Sequence, residues 1–302
     1  MTEIVVGVDG SEHSAAALRW AAREAELHGG KLTAVLVWDL FNQRHPDGTR
    51  RFDPEYDDAH ADAALLAAIE AALGAEAAAS VVRRPVCDVP AQGLIEAAKG
   101  ADLLVVGARG LGGFRGLLLG SVSQQCLHHA PGPIAIVHPP REGADGAEGA
   151  DGAERVVVGV DGSDPSRAAL RWALTEAALR HATVEAVHAW EVPVIYGPVV
   201  GAFPYDTKAV ETGARDLLDE LVDQALATVD APGVTVERTA APGGAAARVL
   251  DAAEHASLVV IGRRGLGGFG RLLVGSVSEH VARHAPCPVV VLPPAPRAAA
   301  GE

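Results

Sequence analysis

The chain has 302 residues, 49% of them hydrophobic and only 4% aromatic, enough to bury two ordinary cores built mainly from Ala, Val and Leu. A net charge of −14 and a pI near 5.3 speak against a nucleic-acid binder, which presents a basic face to phosphates, though they leave room for a local basic pocket. No apolar run is long enough to cross a bilayer, and MTEIVVGVDG lacks the basic, hydrophobic and small-residue succession of a secretory signal, so a cytoplasmic protein without membrane contact is expected.

In chain order, short β-branched runs alternate with Ala/Leu-rich stretches at helical spacing. Strands are predicted over 4–8, 32–38, 80–87, 103–106 and 134–137, and helices over 14–27, 59–78, 90–99 and 121–129. The same order then returns. IVVGVDGSEHSAAALRWAAREA from Ile4 is echoed by VVVGVDGSDPSRAALRWALTEA from Val156, pairing Asp9 with Asp161, Trp20 with Trp172 and Trp38 with Trp190. Pro165 after Asp164 fits a first helical position with an N-cap before it, and Gly29-Gly30 fits a helix end. This is a two-fold duplication of a domain-sized unit. The acidic, Gly/Ala-rich stretch REGADGAEGADGAE cannot fill a core and reads as a linker. The expected domains are therefore 1–140 and 155–294, joined by a linker over 141–154 and followed by a tail over 295–302.

LLVVG and LVVIG are continuous apolar runs, as in central parallel strands covered on both faces. Alternating strands and helices with right-handed crossovers give an α/β fold class: two tandem, doubly wound, five-stranded parallel-sheet domains. Such sheets bind ligands beyond the carboxyl ends of their strands, where the strand order reverses.

Two features sit at those ends in both halves. Strand one runs into VDGS, placing Asp9 and Asp161 before Gly10 and Gly162. A carboxylate there suits a ribose or base hydrogen bond or a divalent ion; equally, Asp-Gly simply makes the turn. A phosphatase-type nucleophile wants a second carboxylate two residues away, where Gly7 and Ser11 stand. Strand four ends at Gly107-Ala108-Arg109-Gly110, and nine residues later Gly120-Ser121 opens a helix; Gly262-Arg263-Arg264-Gly265 and Gly275-Ser276 repeat the spacing. Glycines admit an anion close to backbone amides and the helix N-terminus adds free N–H groups, so phosphate is the natural guest. Ser121, Ser123, Ser276 and Ser278 are candidate hydroxyl donors, and Arg109, Arg263 and Arg264 candidate charge partners. The competing reading makes Ser121 an ordinary N-cap. No GxxxxGK[ST] motif occurs. A formal GxGxxG at Gly265, Gly267 and Gly270 is broken in the first half by Arg115 and lies away from the first strand–helix turn, so it is discounted. Leu111, Phe114 and Leu117 to Leu119 are expected to pack the loop against the sheet. Cys87, Cys126 and Cys287 have no metal spacing and are read as reduced packing residues.

On these motifs the chain resembles a tandem universal stress protein of actinobacterial type, with the adenine nucleotide alpha hydrolase-like fold. VVGVDGS and RGLGGF…LLGSVS carry the resemblance, and GxxG, nine residues, GS marks that family's ATP-binding members. The resemblance implies strand order 3-2-1-4-5 and an adenine nucleotide, ATP foremost, with Mg or Mn. Its site residues would be Asp9, Gly107, Arg109, Gly110, Gly120, Ser121, Val122 and Ser123, with Val37 against the adenine. In the second half they would be Asp161, Gly262, Arg264, Gly265, Gly275, Ser276, Val277 and Ser278, with Ala189 as a less filled wall. It also implies a homodimer, members often pairing their last strands; the apolar edges IAIVH and VVVLP need cover that pairing could provide, either between the two halves or between chains, and a regulatory role in stress response or dormancy with an unidentified protein partner is implied too. Hydrolysis needs a water-positioning residue, and the duplicated residues offer only Asp9 and Asp161; no catalytic residue is assigned. His128, His129, His280 and His284 lie late in their helices and read as structural. The alternatives are a low-turnover ATPase or phosphotransferase, and a dimerisation scaffold with unused sites. The segments 39–58 and 191–208 differ most between halves and are candidate lids.

Overall fold

The computed structural model describes residues 1–111, 118–139, 154–191, 206–265 and 273–294. Phe114, Leu117, Gly267, Gly270, nearly all of the linker and of the second candidate lid, and the tail lie outside the described residues.

The first half runs β1 (Glu3–Gly7), α1 (Glu12–Leu27), β2 (Lys31–Trp38), α2 (Asp58–Leu73), α3 (Ala75–Ala78), β3 (Val82–Cys87), α4 (Pro90–Ala97), β4 (Leu103–Gly107), α5 (Ser121–His129) and β5 (Ile134–Val137). The second runs β6 (Arg155–Gly159), α6 (Asp164–Arg180), β7 (Thr183–Trp190), α7 (Thr207–Leu226), β8 (Val236–Pro242), α8 (Ala245–Ala253), β9 (Leu258–Gly262), α9 (Ser276–His284) and β10 (Val289–Leu292). By internal contacts the chain forms two units, Met1–Asp145 with Ala282–Pro293, and Gly146–Val281 with Pro294–Glu302. The last strand thus groups with the first unit.

In the first unit the strand order is β3-β2-β1-β4-β5, all parallel, and β10 continues it antiparallel to β5 with Val289 opposite Ile136. In the second unit β8-β7-β6-β9 are parallel. Ile4 to Val6, Leu103 to Val106, Val156 to Val158 and Leu258 to Val260 are all buried, as continuous apolar strands between helical layers must be. The outer strand β3 tolerates Pro85 because an edge strand has no neighbour waiting for that missing N–H.

Local sequence explains the element ends. Ser11 caps α1 by accepting from the N–H of Ser14 at 3.1 Å, and Ser163 caps α6 in the same way. The α6 cap falls one residue earlier than Asp164-Pro165 suggested: Ser163 is extended and accepts from the Ser166 N–H, which leaves Asp164 and Pro165 as the first two helical positions. The helix expected over 59–78 is two helices, since Gly74 adopts φ +83° and breaks the hydrogen-bond ladder. Cys126 and Cys287 are buried, and burial pushes both thiols up to about 12. Cys87 is instead exposed at the end of the edge strand, and so is no packing residue. No described helix is long and apolar enough to cross a membrane.

Candidate functional site

The turn after β1 requires glycine: Gly10 and Gly162 have φ +74° and +85°, in the left-handed region. That turn aims the two oxygens of each aspartate differently. Oδ1 of Asp9 accepts from the N–H of Ser11 at 2.9 Å, the plain turn-making role. Oδ2 accepts from the N–H of Leu111 at 3.1 Å, across more than a hundred residues of chain. In the second half Oδ1 of Asp161 accepts from the N–H of Ser163 at 3.0 Å and from its hydroxyl at 2.6 Å. A Cβ on Gly110 or on Gly265 would collide with Oδ2 of Asp9 or Asp161. These glycines allow the carboxylate to lie against the loop backbone.

The next glycine of each motif has a different reason. A side chain on Gly107 would begin 2.6 Å from the carbonyl carbon of His13, and one on Gly262 2.8 Å from that of Pro165. Their absent side chains bring the start of the first helix down onto the end of the fourth strand. Gly120 and Gly275 close the loop at its far end, donating to the carbonyls of Ala108 and Arg263, each at 2.8 Å.

Gly120 is the N-cap of α5, with no side-chain capping bond. The ladder starts at Gln124 N–H donating to the Gly120 carbonyl at 2.9 Å, so the N–H groups of Ser121, Val122 and Ser123 precede it. Ser121 is exposed and is not the cap, which removes the competing reading of that residue. Ser123 is buried, and its hydroxyl donates to the Gly107 carbonyl at 2.6 Å; Ser278 donates to Gly262 at 2.7 Å. These two serines tie the helix to the strand end. Their hydroxyl hydrogens are therefore occupied, unlike the phosphate-donor role expected of them.

The arginines divide as well. Arg109 is exposed and its Nε donates to Nε2 of His13 at 3.0 Å. His13, with Nδ1 buried, is held below the ordinary imidazole range first by burial and then by the Arg109 charge. Arg264 is half-buried and lines a cavity, whereas Arg263 is buried away from that lining; burial, then the Arg264 charge, lowers it to about 10. The cavity, about 420 Å³, has Asp161, Arg264, Gly265, Gly275, Ser276 and Val277 on its lining. Val187, Ala189, Val249 and Ile261 form its apolar wall. That size falls within the range of small-molecule sites, roughly 300–1,000 Å³. The wall is trimmed relative to the first half, where Val37 packs on Gly93 of α4 and Leu94 crowds Gly7. At the matching places the second half has Ala189 and Val249.

Leu111 and Leu118, expected to pack the loop, are exposed, and Leu119 alone of the described three is buried. Sequence reasoning missed Arg44, whose guanidinium from the 39–58 segment lies against Gly10, and His13 beside Arg109. For Arg44 there was no signal to find, since a long irregular segment brings it in.

Comparison with known proteins identifies the family and the fold. The chain matches the Universal stress protein family over residues 1–138 and 152–293. It is 35% identical over 295 residues to a universal stress protein of Mycolicibacterium smegmatis, covering 96% of this chain and 97% of that one. It is 36% identical over 297 residues to Universal stress protein Rv2623 of Mycobacterium tuberculosis, covering 95% of each. A solved universal stress protein from Archaeoglobus fulgidus shares the fold, with a TM-score of 0.68 at 23% identity over 96% of this chain and 98% of that one. With both halves matched and near full-length likeness to mycobacterial relatives, the chain belongs to the universal stress protein family as a tandem member.

Proposed function

We propose that each half binds an adenine nucleotide, ATP foremost, and that the protein acts in the cytoplasm as a nucleotide-dependent regulator in stress response or dormancy. The observation that carries this reading is the pairing, twice in one chain, of a first-strand carboxylate with a glycine loop leading into a helix whose first-turn N–H groups precede its ladder. The polar lining of the second-half cavity suits phosphates, through helix N–H groups and Arg264. Its apolar wall suits a base. Asp161, on the same lining, suits a ribose hydroxyl, as acceptor.

Mg or Mn fits only as a companion of the phosphates, because each loop has one adjacent carboxylate and a hard cation needs six or more oxygens. We assign no residue to it. Leu111, Leu118 and Leu273 stand exposed beside the loops, so phosphates fastening the loop ends would alter an apolar surface that an unidentified protein partner reads. The edges of β5 and β10 already cover one another, so a homodimer would use another surface.

Calorimetric titration of the full chain with Mg-ATP tests the reading. Two nucleotides per chain are expected, with Gly120→Glu and Gly275→Glu each removing one. Neither glycine uses a left-handed backbone, so the added carboxylate opposes phosphate without straining the turn. No binding by the native chain, or undiminished binding by the double variant, would sink the proposal.

A further inference from the structure

The two halves also differ at the corner between the first two helices, to which nothing so far assigns a role. In the second half that corner is filled. Arg167 of α6 donates from Nε to the Gly162 carbonyl at 3.1 Å and from Nη1 to Gln224 of α7 at 2.7 Å. A methyl of Leu221 stands 3.9 Å from where a side chain on Gly162 would begin.

The first half has Ala15 at the place of Arg167. The buried pair Leu65 and Ile69 of α2 matches Leu218 and Val222 of α7, which sets Ala68 where α7 has Leu221. Both fillers are gone, and a cavity of about 290 Å³ stands in their place. Val8, Leu18, Leu36, Ala64 and Ala68 are among its walls.

Across its mouth runs the 39–57 segment, which is built and pinned. Gln43 donates to the Asp53 carbonyl at 3.0 Å and accepts from the Asp53 N–H at 2.5 Å. Tyr56 donates its hydroxyl to the Arg44 carbonyl at 2.5 Å and packs edge-on against Trp38 and His45. The backbone of Arg44 is thereby fixed, and its guanidinium lies over Gly10 at the cavity. Among the described residues that guanidinium has neither a hydrogen bond nor an ion pair. The two nearby carboxylates are engaged elsewhere: Asp9 accepts from the N–H groups of Ser11 and Leu111, and Asp47 accepts from Thr49 and Arg51. Burial disfavours the Arg44 charge while Asp9 favours it. A cation partly withdrawn from water, without a partner, beside an apolar chamber, calls for an anion with an apolar body.

We propose that the first half carries a second ligand site, separate from the glycine loop, that takes a medium-chain aliphatic carboxylate with its head on Arg44 and its chain between α1 and α2. The second half, with Arg167 and Leu221 filling the described corner, is not expected to take it. The inference does not depend on nucleotide binding, because none of the loop residues lines this cavity.

Titration of the full-length protein with octanoate, kept below its micellar concentration, tests it by calorimetry. One saturable site per chain is expected. Ala68→Leu, which copies the second half, should abolish it, and Ala15→Arg should do the same by a different atom set if the first variant fails to fold. Arg44→Gln should weaken octanoate about tenfold, the worth of one charge-assisted contact, and octanol should bind the native chain about as poorly. Native protein that takes up no octanoate while Ala68→Leu raises the melting temperature would make the cavity a packing gap. Undiminished binding in Ala68→Leu or in Arg44→Gln would also overturn the assignment. Mg-ATP titration of Ala68→Leu, whose side chain lies between α1 and α2 and away from the glycine loop, separates the two sites, since its loss of octanoate binding should leave nucleotide binding as it was.

Discussion

Gly107 has no room for even a methyl group, and the obstacle is the backbone of His13 rather than a movable side chain. Gly107→Ala should therefore cost about 1–3 kcal/mol, the usual range for forced overpacking, measured by urea unfolding; Gly262→Ala should match it. Gly120→Ala is the contrasting case, with φ −78° and its nearest contact at 3.4 Å, and should cost far less. Ser123→Ala removes a buried bond to the Gly107 carbonyl and should cost about 1 kcal/mol. His13 adds a pH dependence. Its folded pKa lies below the ordinary value of about 6.5 because of burial and then the Arg109 charge. The unfolded chain therefore takes up the proton first as pH falls. Its contribution to stability is intact above about 6.5 and is lost as pH drops from there through the lower folded value. The melting temperature should fall between about pH 7 and 5, and His13→Ala should flatten part of that slope; an unchanged slope would show that His13 does not contribute to the pH dependence of stability.

Strands and helices were readable wherever apolar spacing and a turn residue agreed. VDGS announced the turn after the first strand, and LLVVG announced a covered central strand, but α1 begins at Glu12 rather than the expected Ser14 because Ser11 caps it. The break at Gly74 was not readable, because an Ala-rich helix continues on either side and only the left-handed backbone divides it. Gly74→Ala should cost about 1–3 kcal/mol, since φ +83° with ψ 160° is a backbone conformation essentially only glycine adopts, although no atom lies within 4 Å of the added carbon. The role of Ser123 was also out of reach. Spacing placed it in the first turn of α5, but only packing decides whether a hydroxyl faces a ligand or the carbonyl of Gly107. The strap holding Arg44 was least readable, since its fold depends on Gln43, Asp53 and Tyr56 pinning one another across an irregular segment.

Duplication made the molecule's plan visible, because each motif could be checked against its copy. It also concealed where the copies part. Ala189 and Val249 widen the second loop cavity, while Ala15 and Ala68 open the corner in the first half. The grouping of Ala282–Pro293 with the first unit was likewise absent from the repeat pattern, which assigns that strand to the second half. What unites the halves is the loop and its carboxylate. Mass spectrometry of small molecules released from the freshly purified, denatured chain, beside a Gly120→Glu/Gly275→Glu variant prepared identically, puts that to the test. Adenine nucleotide at up to two per chain in the native sample and none in the variant is the predicted result. Native protein that carries none and takes up no added ATP, or a variant that carries as much as the native chain, would contradict the reading of these loops as phosphate cradles.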